Sequence, residues 1–422
     1  MRIAVVGSGI AGLSSAWLLS RWHDVTLFEA DTRLGGHTHT VDVALDGQTF
    51  PVDTGFLVFN HRTYPELTRL FDTLGVETVA SEMTFSVRLD QPELEWAGSD
   101  LNTVFGQRRN LARPAFWSML ADLLRFNREV VRESMLTGSM ALGDYLKAKG
   151  YGKPFIEWYL LPMAAAIWSC PASQMLEFPL ASFVTFCRNH GLLQVMNRPQ
   201  WRTVKGGGRE YVKKLAAGIG EIHTGQRVES LRPRGSRIEL ASGSLSGLYD
   251  QVVLACHSDQ SRDLLAAHFP SQARLLQRMP YQPNHAVLHS DASVLPRRRS
   301  LWSAWNYQSG QGELSDRPVA VHYLINRLQP LPTDTPVIVS LNPLQAPDPS
   351  KVHGEFHYSH PVFTRHATFV QRHLEATNGR NGVWLAGAWL GYGFHEDGLA
   401  SALRVARRLN VCAPWKDMAD AA

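Results

Sequence analysis

Cysteine is scarce in this chain of 422 residues, which contains only Cys170, Cys187, Cys256 and Cys412. The four are scattered and show no CxxC spacing, so the sequence offers neither a disulfide framework nor a cysteine-based zinc site. This scarcity of cysteine is typical of a reducing compartment, and we therefore expect a cytoplasmic protein.

Long apolar runs are also missing. No stretch reaches the length of about 18 apolar residues that a membrane-spanning helix requires. The run from Ile3 to Leu19 is interrupted by glycines and is followed by no small-residue cleavage site, so it does not have the pattern of a signal peptide.

A strong charge of one sign is absent as well. The chain has 42 basic and 38 acidic residues, a formal net charge of +4. This excess is too small for a dedicated nucleic-acid binder, although it favours anionic substrates or surfaces, and we expect an association peripheral to a membrane surface. Hydrophobic residues make up 44% of the chain and charged residues 19%, as in ordinary globular proteins. At about 150 residues per domain, the length predicts two or three domains.

The first thirty residues have the pattern of a dinucleotide-binding βαβ unit. A strand-like run, Arg2–Val6, leads into Gly7-Ser8-Gly9-Ile10-Ala11-Gly12, and after a helical segment a second strand, Asp24–Phe28, ends at Glu29 and Ala30. The glycines allow a tight turn, close approach of a diphosphate and close packing of helix on strand. Glu29 lies where a carboxylate accepts hydrogen bonds from a ribose 2′-hydroxyl.

Two further motifs indicate which dinucleotide binds. Arg33-Leu34-Gly35-Gly36-His37 provides paired glycines at a second place where backbone can meet a phosphate or ribityl chain, and Asp53-Thr54-Gly55-Phe56 ends a strand in Asp-x-Gly. With these residues the sequence resembles the large two-domain flavoprotein superfamily that includes amine oxidases, phytoene-type desaturases and a bacterial polyunsaturated fatty-acid isomerase. In that superfamily the combination of motifs marks FAD.

The resemblance also implies how later segments meet FAD. Val228 is expected to contact the adenine through its backbone, and the buried strand that ends at Ala255 returns the chain to the FAD-binding domain. Near the C-terminus, Gly387 ends a strand, and a helix that includes Gly398 and Leu399 points its N-terminus at the pyrimidine end of the flavin. The partial positive charge of that helix end would stabilise the anion of the reduced flavin.

The predicted fold is α/β, with a Rossmann-like FAD-binding domain interleaved with an α+β substrate domain. We expect the FAD-binding segments at residues 1–75, 201–260 and 346–422. The substrate domain is expected at residues 76–200, which include an aromatic-rich helical insertion, and at residues 261–345, which are strand-like. The insertion is either plain core or, in part, the wall of an apolar substrate tunnel.

Several helices follow from the spacing of apolar residues. The segment Tyr64–Leu74 has helical spacing, with Gly75 as a C-cap. Within the insertion, Ala115–Phe126 and Lys153–Trp168 are each predicted as helices.

Within the superfamily, the closest resemblance is to the bacterial "predicted NAD/FAD-binding protein" group. The resemblance covers nearly the whole chain and is carried by Val52–Asn60, Leu161–Ser169, Asn189–Leu193 and His360–Thr364. Members often accompany cyclopropane-fatty-acid-type methyltransferases, and some are linked to furan fatty acids. The resemblance therefore implies a lipid-like small-molecule substrate.

The sequence departs from the amine oxidases in its site residues. Ala388 and Trp389 stand where those enzymes have an acidic residue that contacts the ribityl chain, so the backbone or Asp397 must supply that contact. No paired-aromatic cage is recognisable, and Lys205 precedes a glycine turn, which favours a structural role. No cysteine lies near His395 for a covalent link, and although His395 is itself capable of one, we expect a non-covalent flavin.

A metal is not expected. His353, His357 and His360 recur at spacings of four and three residues, but Pro361 and the surrounding aromatic residues predict a strand or loop, and no acidic partner is evident.

A flavin accepts a hydride at N5 from a C–H bond without a protein nucleophile, so the protein supplies position, a dry pocket and electrostatics. An allylic position of an unsaturated chain suits that chemistry and leads to desaturation or isomerisation. The catalytic candidates near the flavin or the pocket are His61, Arg62 and Trp168, with Tyr64 and Trp389 as weaker ones.

The leading hypothesis is an FAD-dependent oxidoreductase that acts on a long-chain unsaturated or methyl-branched fatty acyl lipid. An amine oxidase and a prenoid or carotenoid desaturase are the enzymatic alternatives. The non-enzymatic alternative is a partner-binding subunit in which FAD is structural. No nucleic-acid partner is expected, and the sequence leaves the exact substrate, the electron acceptor and the oligomeric state open.

Overall fold

The structure, a computed structural model, describes residues 1–135, 140–168, 172–189, 191–194, 199–312, 318–363 and 366–416. Ser169, His190 and Thr364, which belong to three of the segments that carry the family resemblance, lie outside these ranges. The strands are β1 (Arg2–Val6), β2 (Asp24–Phe28), β3 (Thr40–Leu45), β4 (Gln48–Asp53), β5 (Thr78–Ser81), β6 (Phe85–Leu89), β7 (Leu94–Ala97), β8 (Trp201–Val204), β9 (Glu221–His223), β10 (Ser230–Arg234), β11 (Arg237–Ser242), β12 (Leu245–Tyr249), β13 (Gln251–Leu254), β14 (Tyr281–His289), β15 (Trp305–Ser309), β16 (Val319–Leu324), β17 (Ile338–Leu341), β18 (Val352–Pro361) and β19 (Val383–Leu385).

The α-helices are α1 (Ile10–Leu19), α2 (Pro65–Leu74), α3 (Leu101–Val104), α4 (Pro114–Ser134), α5 (Leu142–Ala148), α6 (Lys153–Phe155), α7 (Leu161–Trp168), α8 (Ala172–Leu176), α9 (Leu180–Asn189), α10 (Arg209–Ala216), α11 (Ser258–Leu265), α12 (Pro270–Leu276), α13 (Ile325–Leu328), α14 (Ala367–Thr377) and α15 (His395–Arg408). Five π-helical residues, Ile156–Leu160, join α6 to α7. Within the described ranges, none of the helices combines the length and the hydrophobicity that crossing a bilayer requires.

A five-stranded parallel sheet has the order β19-β13-β1-β2-β9. Its strands β1 and β2 are buried along nearly their whole length, as expected where helices or loops cover both faces. Because neighbouring strands come from the beginning, the middle and the end of the chain, the nucleotide-binding unit is assembled from three separate segments. The carboxyl ends of such strands meet at one edge, where doubly wound folds bind their ligands.

A seven-stranded mixed sheet has the order β18-β14-β17-β16-β15-β6-β7 and forms the second unit. Its neighbouring strands are antiparallel except for β6 and β15, which are parallel. Helix α7 contacts β15, and the π-helical segment contacts β6, so part of the insertion lies against this sheet. The α/β class with an interleaved α+β unit is therefore as predicted, while the individual domain boundaries remain predictions.

Candidate active site

A cavity of about 1210 Å³ touches both units of the fold. On one side it is lined by the loops that follow β1, β2, β13 and β19, and on the other side by residues of β6, β7, β15, β16 and β18. Its volume exceeds the range of about 300–1,000 Å³ that is usual for small-molecule sites. The cavity therefore has room for a dinucleotide and for a second ligand beside it.

The turn between β1 and α1 depends on three glycines. Gly7 has a φ of +99°, in the left-handed region that favours glycine. A Cβ on Gly12 would overlap the carbonyl oxygen of Gly7, so Gly12 lets α1 start close to β1, as predicted. Gly9 lines the cavity, and a Cβ there would meet no atom within 4 Å. The space beside Gly9, at the N-terminus of α1, is where the diphosphate of a dinucleotide fits.

Glu29 is held in place at the end of β2. Its Oε2 accepts hydrogen bonds from the backbone N–H of Ser8 at 2.7 Å and from the Ser8 hydroxyl at 2.6 Å, and its Oε1 accepts one from the N–H of Asp31 at 2.8 Å. The Ser8 hydroxyl in turn accepts from the N–H of Gly35 at 3.1 Å. Ser8 therefore connects the two glycine loops, a role that sequence analysis missed because serine carries no positional signal there.

Arg33 stabilises the second glycine loop, which contains Gly35 and Gly36, through hydrogen bonds to its backbone. The guanidinium of Arg33 donates to the carbonyl oxygens of Gly36 at 2.8 Å and Thr38 at 3.3 Å. Gly35, Gly36 and His37 line the cavity, but Arg33 does not. Arg33 therefore supports the loop in this structure, and its expected contact with the cofactor stays a prediction.

His37 presents an unused polar atom. Its ring lines the cavity, and in the described part of the chain its Nε2 has no hydrogen-bond partner. Burial, with the nearby rings of His360, His257 and His395, lowers the pKa of His37 well below its usual value, so the ring is neutral. A neutral imidazole can donate to, or accept from, a phosphate or hydroxyl group of a nucleotide.

The predicted cofactor residues divide into those that line the cavity and those that do not. Most of them line the cavity: Gly7, Gly9, Ile10, Ala11, Glu29, Ala30, Gly35, Gly36, His37, Thr54, Gly55, Phe56, Val228, Ala255 and Gly387. Gly12, Arg33, Gly398 and Leu399 do not line it, and the last two face the protein interior. A Cβ on Gly398 would lie 2.7 Å from Cγ2 of Ile10, so this glycine allows α15 to pack on α1, and Leu399 is fully buried.

Helix α15 begins at the cavity. Asp397 caps it by accepting a hydrogen bond from the N–H of Phe394 at 3.0 Å, and burial raises the pKa of Asp397 to about 6. Asp397 does not line the cavity, so the backbone near Gly387 and Ala388 is left as the surface available to a ribityl chain. Trp389 lines the cavity beside them and donates from Nε1 to the carbonyl oxygen of Cys256 at 3.2 Å.

His395, the first residue of α15, faces the cavity in a fixed orientation. Its ring stacks on Phe56 with centroids 3.7 Å apart. Its Nε2 lies 2.9 Å from the hydroxyl oxygen of Thr38 and 3.1 Å from that of Tyr211. Burial lowers the pKa of His395 to about 3, so the imidazole is neutral. Two hydroxyl groups therefore engage Nε2, and the non-covalent flavin stays a prediction.

Apolar and aromatic residues line the part of the cavity next to the seven-stranded sheet. We call this part the apolar end; it comprises Met83, Phe85, Trp96, Tyr159, Met163, Ile167, Phe186 and Trp305.

A proline shapes the apolar end. Pro162 has no N–H to donate to the carbonyl of Trp158, and the helix is π-helical just before it. The freed carbonyl oxygen accepts a hydrogen bond from Nε1 of Trp96 at 3.2 Å. This bond ties β7 to the insertion beside Tyr159, whose ring stacks on Trp96 at 5.9 Å. Part of the aromatic-rich insertion therefore forms a cavity wall.

The structure does not bring the three catalytic candidates into the cavity. The Asn60 side chain accepts hydrogen bonds from the N–H groups of Arg62 and Thr63, at 3.0 and 2.9 Å, and this turn leaves His61 and Arg62 exposed. Trp168 is buried behind the wall, with its ring 4.6 Å from that of Phe186. The expected location of these three residues is therefore corrected. The weaker candidates Tyr64 and Trp389 do line the cavity.

The three histidines considered for a metal lie on one strand, β18, as their surroundings predicted. His357 stacks on His285, whereas His360 hydrogen-bonds through Nδ1 to the amide of Asn284 at 2.8 Å. Among the described residues, no group of three or more histidine, cysteine, aspartate or glutamate side chains has an arrangement that could hold a metal ion.

The cavity thus fits FAD at its nucleotide end. The open space at Gly9, the anchored Glu29, the unused Nε2 of His37 and the N-terminus of α15 are arranged around one continuous site. Fold and site together define a two-domain flavoprotein of the FAD-dependent oxidoreductase class.

Comparison with known families gives the particular assignment. Residues 10–298 match the family model described as flavin containing amine oxidoreductase. Because the match covers more than half of the chain, the protein belongs to that family. Membership confirms the predicted flavin cofactor, FAD in this family, and the predicted oxidoreductase, and it favours an enzyme over the non-enzymatic alternative.

Individual relatives are more distant. L-amino-acid oxidase from Pseudechis australis is 41% identical over 71 residues, which are 17% of this chain and 14% of that protein. The match thus spans only a small part of that curated relative. The solved structure of a CLA-producing fatty acid isomerase from P. acnes has a TM-score of 0.68 and 13% identity, over 97% of this chain and 99% of that one. Cyclohexylamine oxidase from Brevibacterium oxydans IH-35A has a TM-score of 0.67 and 16% identity, over 97% and 99%. At these identities the structural likeness shows the fold alone.

Proposed function

We propose that the protein is an FAD-dependent oxidoreductase that desaturates or isomerises a long-chain unsaturated or methyl-branched fatty acyl lipid. The observation that carries this proposal is the apolar end of the cavity. Aromatic, methionine and aliphatic side chains from the seven-stranded sheet and from α7 and α9 enclose it. Burial of a methylene group in such surroundings contributes about 0.8 kcal/mol, so a long hydrocarbon chain binds there favourably.

The distribution of charge supports a neutral, apolar substrate. Aspartate, glutamate and arginine occur among the described lining residues only as Glu29, Glu82, Arg227, Glu229 and Asp263. Of these, Glu82 alone is next to the apolar end, and its carboxylate is paired with Arg327 at 2.7 Å. An ammonium substrate would therefore meet no unpaired carboxylate at the apolar end, which favours a lipid over an amine.

The bound flavin supplies a hydride acceptor at N5. The chain's own residues supply a dry, neutral environment for the carbon atoms that react. His37 and His395 are held neutral by burial, so neither places a positive charge beside an apolar substrate. The hydroxyl groups of Tyr211 and Thr38, bonded to His395, form a buried hydrogen-bonded group next to the cavity.

Anaerobic flavin reduction tests the proposal. The purified holoenzyme, mixed without oxygen with unsaturated and methyl-branched acyl lipids in detergent, is expected to lose its flavin absorbance near the visible maximum, or to convert the lipid without net bleaching if it is an isomerase. Product analysis by mass spectrometry distinguishes the two. No bleaching and no altered lipid across such a panel, together with bleaching by an amine, would contradict the proposal and favour an amine oxidase.

A substitution on α7, at the cavity wall, tests whether the apolar end binds the acyl chain of the substrate. Ala166 is buried and lines the cavity. It lies on α7 between Met163 and Ile167, which both belong to the apolar end, so the larger side chain of Ala166→Phe would reduce the space there. We therefore expect KM to rise about tenfold or more for long acyl chains, as loss of a few buried methylene contacts predicts. Short-chain substrates and FAD content should change little. An equal loss for short and long chains would contradict the assignment of the apolar end to the acyl chain.

A further inference from the structure

Helix α4 presents an apolar stripe to solvent. Of its residues, Trp117 is 50% exposed and Leu124 is 54% exposed, and Met135, which follows the helix, is 72% exposed. Their spacing of seven and eleven residues places all three on one face of the helix. On a helix of a globular protein the outward face normally carries polar residues, so this arrangement requires an explanation.

Two neighbouring segments extend the stripe. Leu111, 50% exposed, accepts a hydrogen bond from Nε1 of Trp117 through its carbonyl oxygen at 2.9 Å. Leu101, 78% exposed, begins α3, and the ring of Phe105 just beyond that helix lies 5.1 Å from the ring of Trp117. Most of the exposed large apolar side chains of the described residues are therefore gathered here. We use the name α3–α4 surface for the patch formed by Leu101, Leu111, Trp117, Leu124, Met135, Arg128 and Arg132.

Exposed arginines of α4 place positive charge beside the apolar side chains of this surface. Arg128 and Arg132 are exposed on α4, close to the apolar stripe, and neither has an ion-pair partner in the part of the chain that the structure describes. Of the three acidic side chains of the same helix, Glu129 lies five residues from Leu124 and therefore off the apolar stripe, and the other two are paired. Asp122 pairs with Arg125 at 2.9 Å, and Glu133 pairs with Lys149 at 2.7 Å and accepts from the hydroxyl of Tyr145. Unpaired positive charge beside apolar side chains is complementary to anionic headgroups above a hydrocarbon layer.

The α3–α4 surface is also close to the apolar end of the cavity. Helix α4 packs on α9 and on the π-helical segment Ile156–Leu160. Those two elements contribute Phe186 and Tyr159 to the cavity wall. One layer of helices thus separates the exposed stripe from the site that we assign to the acyl chain.

We propose that the α3–α4 surface docks the protein on an anionic lipid bilayer, with Trp117 and Leu124 inserted among the acyl chains and Arg128 and Arg132 on the headgroup phosphates. This inference deepens the proposed function, since a bilayer is a direct source of acyl substrate. It depends on the exposed stripe and on its charge, so it can be tested apart from catalysis.

Co-sedimentation of the full-length holoprotein with vesicles tests the docking. Vesicles of phosphatidylcholine and phosphatidylglycerol in equal parts should bind the protein, and added salt should weaken the binding because it screens the arginines. Trp117→Ala combined with Leu124→Ala should lower the affinity about tenfold or more, because the two inserted side chains supply most of the buried apolar area. Arg128→Gln with Arg132→Gln should lower binding to the mixed vesicles but not to pure phosphatidylcholine.

Trp22→Ala is the matched control, because Trp22 is 71% exposed and lies outside the α3–α4 surface. It should bind vesicles as the unmodified protein does, and FAD content and circular dichroism should show that all variants are folded. Absence of vesicle binding, or equal binding by the Trp117 and Leu124 double variant, would overturn the proposal. So would light scattering showing a dimer that the double variant abolishes, which would assign the surface to a second copy of the chain.

The same variants separate this inference from the proposed function. With substrate dissolved in detergent, flavin reduction by the Trp117 and Leu124 double variant should equal that of the unmodified protein. Vesicle binding without any reaction on acyl lipids would leave the docking surface in place and contradict the proposed function alone.

Discussion

Single residues hold the nucleotide end of the cavity together. The hydroxyl group of Ser8 accepts a hydrogen bond from the N–H of Gly35 and donates one to the carboxylate of Glu29. It therefore joins the glycine loop after β1 to the glycine loop after β2. The glycine motifs were predictable because only glycine tolerates those backbone angles and close approaches. Ser8 and the orientation of His395 were not, because their partners come from folded contacts up to 357 residues apart in the sequence.

Gly9 offers a direct test of the diphosphate position. Gly9→Ala adds a methyl group that touches no protein atom but enters the cavity, so the protein should fold normally and retain FAD about tenfold less well. Gly220 also has no atom within 4 Å of an added Cβ, yet it does not line the cavity, so Gly220→Ala is the control. The measurement is the ratio of flavin to protein absorbance after dialysis. Equal flavin content in the two variants would show that the diphosphate does not lie at Gly9.

A buried histidine predicts acid sensitivity. His322 is fully buried. Its Nδ1 lies 2.7 Å from the hydroxyl oxygen of Ser340, and its Nε2 lies 3.0 Å from the side-chain oxygen Oε1 of Gln308. Burial lowers the pKa of His322 from 6.5 to about 3. Below pH 6.5 the imidazole of His322 binds a proton in the unfolded chain but not in the folded chain. The stability that the buried neutral ring contributes is therefore fully present above pH 6.5 and is lost as the pH falls toward 3.

We expect the free energy of unfolding, measured in urea at a series of pH values, to fall below pH 6.5 less steeply for His322→Gln than for the unmodified protein. Parallel curves for the His322 variant and the unmodified protein would refute the buried-histidine explanation.

At the scale of elements, Asp53 joins three parts of the fold. Its carboxylate accepts hydrogen bonds from the Thr40 hydroxyl on β3, the N–H of Gly208 before α10 and the amide of Gln329 after α13, at 2.6, 2.9 and 2.9 Å. Burial raises the pKa of Asp53 to about 6, against the effect of these bonds. Asp53 therefore fixes the strand that leads into Thr54 and Gly55 at the cavity.

Asp53→Ala should lower the free energy of unfolding by about 3 kcal/mol, because it removes a buried acceptor and leaves several donors unsatisfied. The expected observation is a lower urea midpoint with an unchanged slope. Asp42 makes an exposed ion pair with Arg209 at 2.8 Å, so Asp42→Ala should cost no more than about 1 kcal/mol. Similar losses for both variants would contradict the account of Asp53.

Helices were predictable where local rules suffice. Helix α2 covers Pro65–Leu74 and ends at Gly75 in the left-handed conformation, as its spacing and glycine indicate. The segment Lys153–Trp168 is helical as predicted, but its π-helical turns were not foreseen, since they depend on Pro162 and on a tryptophan from β7. The spacing of apolar residues in α4 could not show which of them are exposed to solvent, because an exposed and a buried apolar face have the same periodicity.

At the scale of the molecule, the interleaving of two units was predictable and the arrangement of the cavity was not. Motifs near both ends of the chain indicated that distant segments build one nucleotide site, and the order of the five-stranded sheet agrees. No sequence motif marks the strands of the seven-stranded sheet. Their register depends on pairing, mostly antiparallel, between strands that are far apart in the sequence. Which residues of this sheet line the cavity therefore emerged only from the folded structure.

The most direct test of the central claim is a crystal structure of the holoprotein. The account predicts non-covalently bound FAD with its diphosphate against Gly9, its ribose beside Glu29 and its ring system between Gly387 and the apolar end of the cavity. A flavin bound at another place, or a protein that crystallises from excess FAD with this cavity filled only by solvent, would contradict it.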